Sequence, residues 1–137
     1  MRRENAEISK RNPYYISRER YMELRHFCLQ YKEWKHALGQ LNGWEATRND
    51  AGGIVPGNLP ADPTERQAIL RAYYSERMRM VEQCAEKTER VIAPYLLKAV
   101  TEDLAYQHLQ AKGVPCGRQV YYTLYRKFFW LLSKERG

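Results

Sequence analysis

The side chains best placed to act together in this sequence are Arg118, Gln119, Tyr122, Thr123, Arg126, Lys127 and Lys134. They supply guanidinium, amide, phenol, hydroxyl and ammonium groups, which suit recognition by hydrogen bonding and charge. Arg and Gln at the start of a helix can pair bidentately with guanine and adenine edges, whereas Arg and Lys further along can hold phosphate oxygens. From Gly113 to Arg136 five basic residues stand against Glu135 alone, a net charge of +4. A phosphate-facing element needs that asymmetry.

Two helices and a tight turn must position these groups. Thr101 reads as an N-cap, with Glu102 and Asp103 in the first turn, where negative charge suits the helix dipole. Leu104, Ala105, His108 and Leu109 would form its buried face. Gly113 fits a left-handed residue after the last turn, and Pro115 prevents continuation. A second helix then opens at Cys116 or Gly117. Val120, Tyr121, Leu124, Phe128 and Leu131 are its expected inward positions, which leaves Arg118, Gln119, Tyr122, Thr123 and Arg126 facing out. The spacing predicts a helix-turn-helix over residues 101–136.

Cys116-Gly117-Arg118-Gln119-Val120-Tyr121-Tyr122, followed by Thr123-Leu124-Tyr125-Arg126-Lys127-Phe128, resembles region 4 of bacterial sigma factors and their phage relatives. Cys116, Gly117 and Tyr122 depart from the serine and basic residues usual there. A second resemblance joins Tyr31-Lys32-Glu33-Trp34-Lys35, the run Gly52-Gly53-Ile54-Val55-Pro56-Gly57-Asn58, and Pro63-Thr64-Glu65 at the opening of a long helix. This order is similar to RinA/ArpU-type phage transcriptional regulators. The resemblance implies a DNA-binding regulator of phage or prophage origin, with double-stranded DNA as partner and host RNA polymerase as a candidate second one.

The rest of the chain reads as all-α: a small helical domain with long helices and the C-terminal helix-turn-helix. Residues 1–16 are expected to form a flexible basic arm and residues 17–137 a single helical domain. Within that domain a first helix spans 17–41, with Tyr21, Leu24, Phe27, Cys28, Tyr31, Trp34, Ala37, Leu38 and Leu41 at three- and four-residue spacing. That stripe also approaches heptad spacing, which admits a homodimer. Residues 42–62, rich in Gly, Pro, Asn and Asp, read as a long loop. Asp62-Pro63-Thr64-Glu65 is a capping signal for a long helix over 63–92. Its inward stripe is expected at Ala68, Ile69, Ala72, Tyr73, Met80, Val81, Cys84 and Val91. Pro94 should end or kink it near Ile92. A short helix over Ala93–Val100 would then pack Leu96, Leu97 and Val100 beneath the reading helix.

Composition bounds the function. The 137 residues carry a net charge of +7, distributed as +4 over residues 1–44, −2 over 45–62, +2 over 63–100 and +3 over 101–137. Positive charge at both ends fits a polyanion. A mean hydropathy of −0.73 and the lack of a long apolar run argue against a membrane partner. The polar start MRRENAEISKRN has no secretory h-region, so a cytoplasmic location is expected. Cys28, Cys84 and Cys116 are odd in number and widely spaced, which argues against a disulfide framework. His26 and His36 lie ten residues apart, not at the i, i+4 spacing of helical metal ligands. No HExxH, GxSxG or CxxC is present, nor the GxxxxGK[ST] of a phosphate loop. The expectation is therefore no enzyme, no cofactor and no metal. The alternative to a DNA reader is a phage or mobile-element protein-binding module, an inhibitor or adaptor of a host nucleic-acid enzyme. Tyr14, Tyr15, Trp44, Phe129 and Trp130 would be its anchors.

Overall fold

A computed structural model describes residues 12–43 and 57–137. They form six helices: α1 (Arg18–Leu29), α2 (Tyr31–Asn42), α3 (Pro63–Thr88), α4 (Ala93–Glu102), α5 (Tyr106–Ala111) and α6 (Arg118–Arg136). No strand forms among the described residues. No helix among them is long and apolar enough to cross a membrane. Residues 1–11, and residues 44–56 of the expected loop, lie outside the described residues, and so do Trp44, Gly52 and Gly53.

The chain divides into two compact units, one of residues Met1–Leu29 and Met80–Gly137, the other of Gln30–Arg79. In the second unit Trp34, Ala37, Leu41, Leu70 and Tyr74 are buried. Asp62 caps α3 by accepting the Thr64 N–H at 2.9 Å, and Pro63 takes the first helical position, where its missing N–H costs nothing. Arg71 ties α3 to the end of α2: its Nε donates to Asn42 Oδ1 at 2.9 Å and its Nη2 to the Leu41 carbonyl at 3.2 Å. The expected inward stripe of α3 holds at Val81 and Cys84 but is displaced in the first half of the helix, where Ala68, Ile69 and Ala72 are exposed and Leu70 and Tyr74 lie inside. Leu70, Tyr74, Val81, Cys84, Ala85 and Thr88 are buried, while Ile69 and Val91 are exposed. Tyr74 and Leu70 take the interior because their four-residue spacing continues, through Val81, into Cys84 and Ala85.

The first unit is organised around α1, which packs against both α4 and α6. Where one helix over 17–41 is expected, α1 ends at Leu29, Gln30 intervenes with near-helical dihedrals, and α2 begins at Tyr31. The aromatic stripe nonetheless lies inward, with Tyr21, Leu24, Phe27, Cys28, Trp34, Ala37 and Leu41 all buried. The last residues of the expected arm are packed: Ile16 is buried and the Tyr14 ring sits 5.4 Å from that of Trp130 on α6. Asn12 closes the turn there, its Oδ1 accepting the Tyr14 N–H at 3.0 Å.

α3 stops at Thr88, four residues before the expected break. The Thr88 hydroxyl folds back to donate to the Cys84 carbonyl at 2.6 Å, and the Glu89 carboxylate accepts the N–H groups of Val91 and Ile92. Pro94 therefore belongs to the first turn of α4. Thr101 is not an N-cap. It lies buried in the last turns of α4, where its hydroxyl donates to the Leu97 carbonyl at 2.7 Å. Glu102 and Asp103 end that helix, so their charge sits at the unfavourable pole of its dipole. Each meets a cation: Lys98 reaches Glu102 at 3.1 Å, and Arg25 of α1 donates to both Asp103 oxygens at 3.0 Å. Asp103 is left-handed, at φ 59°, and the Leu104 N–H closes the turn on the Ala99 carbonyl.

Candidate nucleic-acid interface

The turn before α6 is built residue by residue. α5 is a six-residue helix with Tyr106 and Leu109 buried; Leu104 and Ala105 precede it half-buried, and His108 is exposed. Gly113 takes φ +87°, a left-handed conformation that a Cβ would strain. The Gly113 and Val114 N–H groups return to the carbonyls of Gln110 and Leu109, and Val114 is buried beyond the glycine. The Tyr106 hydroxyl then donates to the Cys116 carbonyl at 2.7 Å, which fixes the residue two before α6 begins. Gly117 is the N-cap and supplies no side-chain cap.

α6 buries Tyr121, Tyr122, Tyr125, Phe128, Phe129 and Leu132, a continuous helical stripe. Edge-to-face contacts link these rings, with centroids 4.9 Å apart for Tyr121 and Tyr122 and 5.0 Å for Tyr125 and Phe129. Tyr21 of α1 meets Phe129 at 5.1 Å. Arg20 of α1 donates to both the Ser133 hydroxyl, at 3.0 Å, and the Ser133 carbonyl, at 2.8 Å. The Arg136 guanidinium lies 3.9 Å from the centre of the Phe27 ring.

This orientation corrects two of the expected faces. Tyr122, read from sequence as facing out, is only 5% exposed and belongs to the core. Val120, read as inward, is 55% exposed. Leu124 and Leu131 are half-buried at the margins, and Phe128 is in the core as expected. The exchange has a physical reason: α6 is apolar over much of its circumference, and the face that packs inward carries the rings of Tyr121, Tyr122, Tyr125, Phe128 and Phe129.

The remaining residues singled out in the sequence lie at or near the surface. Gln119, Thr123, Lys127 and Lys134 succeed one another at steps of four, four and seven residues, so they form one line along α6, which includes half-buried Trp130. Gln119, Thr123 and Lys134 are exposed, while Lys127 and Arg126, at the edge of the line, are half-buried. The Thr123 hydroxyl donates to the Gln119 carbonyl at 3.0 Å, which leaves its oxygen able to accept. Lys134 lies 3.6 Å above the Trp130 ring. Arg118 is exposed at the first turn, its guanidinium 5.7 Å and 6.0 Å from the rings of Tyr122 and Tyr106. Tyr122 thus lies, with Tyr106, beneath Arg118 as well as filling the core.

No acidic residue interrupts this line. Glu135 is the only acid of α6; Glu102 and Asp103 are engaged by Lys98 and Arg25, and Glu89 stands near Cys116, before the first turn. The line runs over fifteen residue steps, about 22 Å at helical rise. A major groove is roughly 12 Å wide. Were α6 to enter such a groove end-on, first turn inward, Lys134 would stand outside it, at the level of the sugar-phosphate backbone.

No family model, curated protein or solved structure matches this chain. Among the described residues no three His, Cys, Asp or Glu side chains gather to hold a metal ion. Of the anchors expected for a protein-binding module, Phe129 is buried at 1% exposure and is unavailable to a partner. Tyr14 and Trp130 are half-buried against one another, and Tyr15 is exposed. Val120 is the surface residue that the sequence reading missed. The missed signal was volume: a stripe drawn through the rings rather than through every apolar residue leaves valine outside.

Proposed function

We propose that this chain is a DNA-binding transcriptional regulator of phage or prophage origin, in which α5, the Gly113 turn and α6 act as a helix-turn-helix. The observation that carries the reading is the acid-free outer line of Gln119, Thr123, Lys127 and Lys134, with Arg118 and Arg126 at its edges. Gln119 and Arg118, in the first turn, would meet base edges; Arg126, Lys127 and Lys134 would hold phosphates. Tyr122 serves from beneath, by supporting Arg118. A helix whose inner face is fixed by six buried side chains, by Arg20 and by the Tyr106 hydroxyl presents its outer groups from a backbone already ordered, so the ordering cost of binding falls on the side chains alone. The resemblance to sigma region 4 and to RinA/ArpU-type regulators agrees with this reading, and makes host RNA polymerase the partner that would supplement one short interface.

The test is selection of binding sites from randomised duplex DNA, followed by titration at several salt concentrations. A recovered consensus is the expected result, together with an affinity that falls by about 0.9 log units per log unit of salt for each phosphate contact. Absence of DNA retention at physiological salt, with a stoichiometric protein recovered instead, would replace this reading by the protein-binding module.

A further inference from the structure

Val120 is not explained by phosphate binding. It stands in the first turn of α6, next to Gln119 and three residues before Thr123, with 55% of its surface exposed. It takes no part in the core, and valine at an exposed helical site is a poorer helix former than alanine, glutamine or lysine. Isolated exposed apolar residues such as Val91 are ordinary on any protein surface. Val120 differs in its setting, at the flank of the outer line of α6, beside Gln119 and one turn before exposed Thr123 and half-buried Leu124.

We infer that Val120 packs against the 5-methyl group of a thymine in the major groove, beside an adenine edge read by Gln119, so that the first turn of α6 selects an A·T pair. This rests on the DNA reading proposed above and names the sequence class that the same surface would take. The 5-methyl of thymine is an apolar group on the major-groove edge of the base pairs, and a glutamine amide matches the N6 and N7 of adenine. An A·T pair offers both features on one edge. Gln119 and Val120 differ by about 1.5 Å of helical rise and about 100° around the axis, so with the N-terminal end of α6 directed at the groove floor they would address the two bases of one pair or adjoining pairs. At a cytosine the isopropyl group would cover the N4 donor without accepting from it, which penalises the wrong base.

The experiment uses the full chain and two randomised duplex pools, one synthesised with thymine and one with uracil, which keeps every hydrogen-bonding group and removes only the methyl. Sequences recovered from the thymine pool are then titrated with single thymine-to-uracil replacements. The expected result is one position at which uracil weakens binding about fourfold, the worth of one buried methyl group. Val120→Ala should bind the thymine duplex more weakly and no longer distinguish it from the uracil duplex. Because the base replacement leaves the protein untouched, its effect is independent of any change in folding. Recovery of a specific sequence that wild-type protein binds equally well with uracil at every thymine overturns this inference and leaves the DNA reading in place. Recovery of no DNA from either pool overturns both.

Discussion

Tyr21 and Tyr125 meet hydroxyl to hydroxyl at 2.6 Å within the core, joining α1 to α6 across 104 residues of sequence. A buried hydroxyl costs free energy unless it is bonded, so each phenol satisfies the other. Tyr125→Phe should lower unfolding stability by about 1–2 kcal/mol, because Tyr21 then keeps a buried hydroxyl without this partner. The double variant Tyr21→Phe/Tyr125→Phe should lose less than the sum of the two single changes. Urea denaturation of the four proteins of the cycle measures this coupling, and strict additivity would disprove it.

The last turns of α6 are held by Arg20. One guanidinium spans the hydroxyl and the carbonyl of Ser133, and the same carbonyl accepts the Gly137 N–H at 3.2 Å. Arg20→Ala should therefore destabilise by roughly 1–2 kcal/mol, discounted for the partial exposure of the pair, and should hasten amide exchange at the end of α6. Ser133→Ala, which removes only the hydroxyl contact, should cost less. Arg20→Lys should behave like the alanine variant, since one ammonium cannot reproduce the planar fork. Equal loss from Arg20→Ala and Ser133→Ala would show that neither the carbonyl contact nor the exposed ion pair of Arg20 with Glu23, at 2.9 Å, contributes.

The rotation of α6 separates residues that the sequence groups together. Tyr122→Ala should cost about 3 kcal/mol or more in stability, as expected for an aromatic removed from a packed interior. Tyr122→Phe should retain both stability and DNA binding. Gln119→Ala should leave stability unchanged and alter base preference, while Lys127→Ala and Lys134→Ala should weaken binding to all sequences alike and flatten the salt dependence. Paired thermal melts and titrations distinguish these classes. If Tyr122→Phe abolished binding in a fully folded protein, the phenol would belong to the interface after all.

How much of this could be read from the residues differs from element to element. Gly113 and Pro115 marked the turn before α6 because a left-handed glycine and a missing N–H leave few alternatives. Asp62-Pro63 marked the start of α3 for the same kind of reason. Thr101 misled because a threonine hydroxyl can serve a carbonyl four residues back as readily as it caps a helix, and the helix it closes began at Ala93. The break at Gln30 carries no glycine or proline and was invisible. The facing of α6 failed for another reason. Val120, Tyr121, Tyr122, Leu124, Tyr125, Phe128, Phe129, Trp130, Leu131 and Leu132 surround most of the helix, so more than one inward stripe fits. The choice among them depended on the rings of α1, which lie far away in sequence.

The cysteines supply a pH test of the first unit. Cys28 and Cys84 are buried free thiols, and Cys116 is half-buried. Burial, together with the neighbouring Cys84, pushes the Cys28 thiol far above its ordinary range; burial, with Glu135 adding to it, raises Cys84 from 9.0 to about 11. Burial and then Glu89 also raise Cys116. At neutral pH all three are protonated in both folded and unfolded chains, so they leave stability level. Above pH 9 the unfolded chain releases the thiol protons of Cys28 and Cys84 while the folded chain retains them, and stability falls as pH rises. For Cys84 the loss should run from about pH 9 to about pH 11, with a limiting slope near 1.4 kcal/mol per pH unit for each thiol. Cys84→Ala should show a shallower decline than wild type over that window in urea titrations, whatever its stability at pH 7. In the folded protein at pH 8, a thiol reagent should label Cys116 first, and the other two only after unfolding. Parallel declines for wild type and Cys84→Ala, or labelling of all three thiols in the native state, would contradict the burial from which this expectation is drawn.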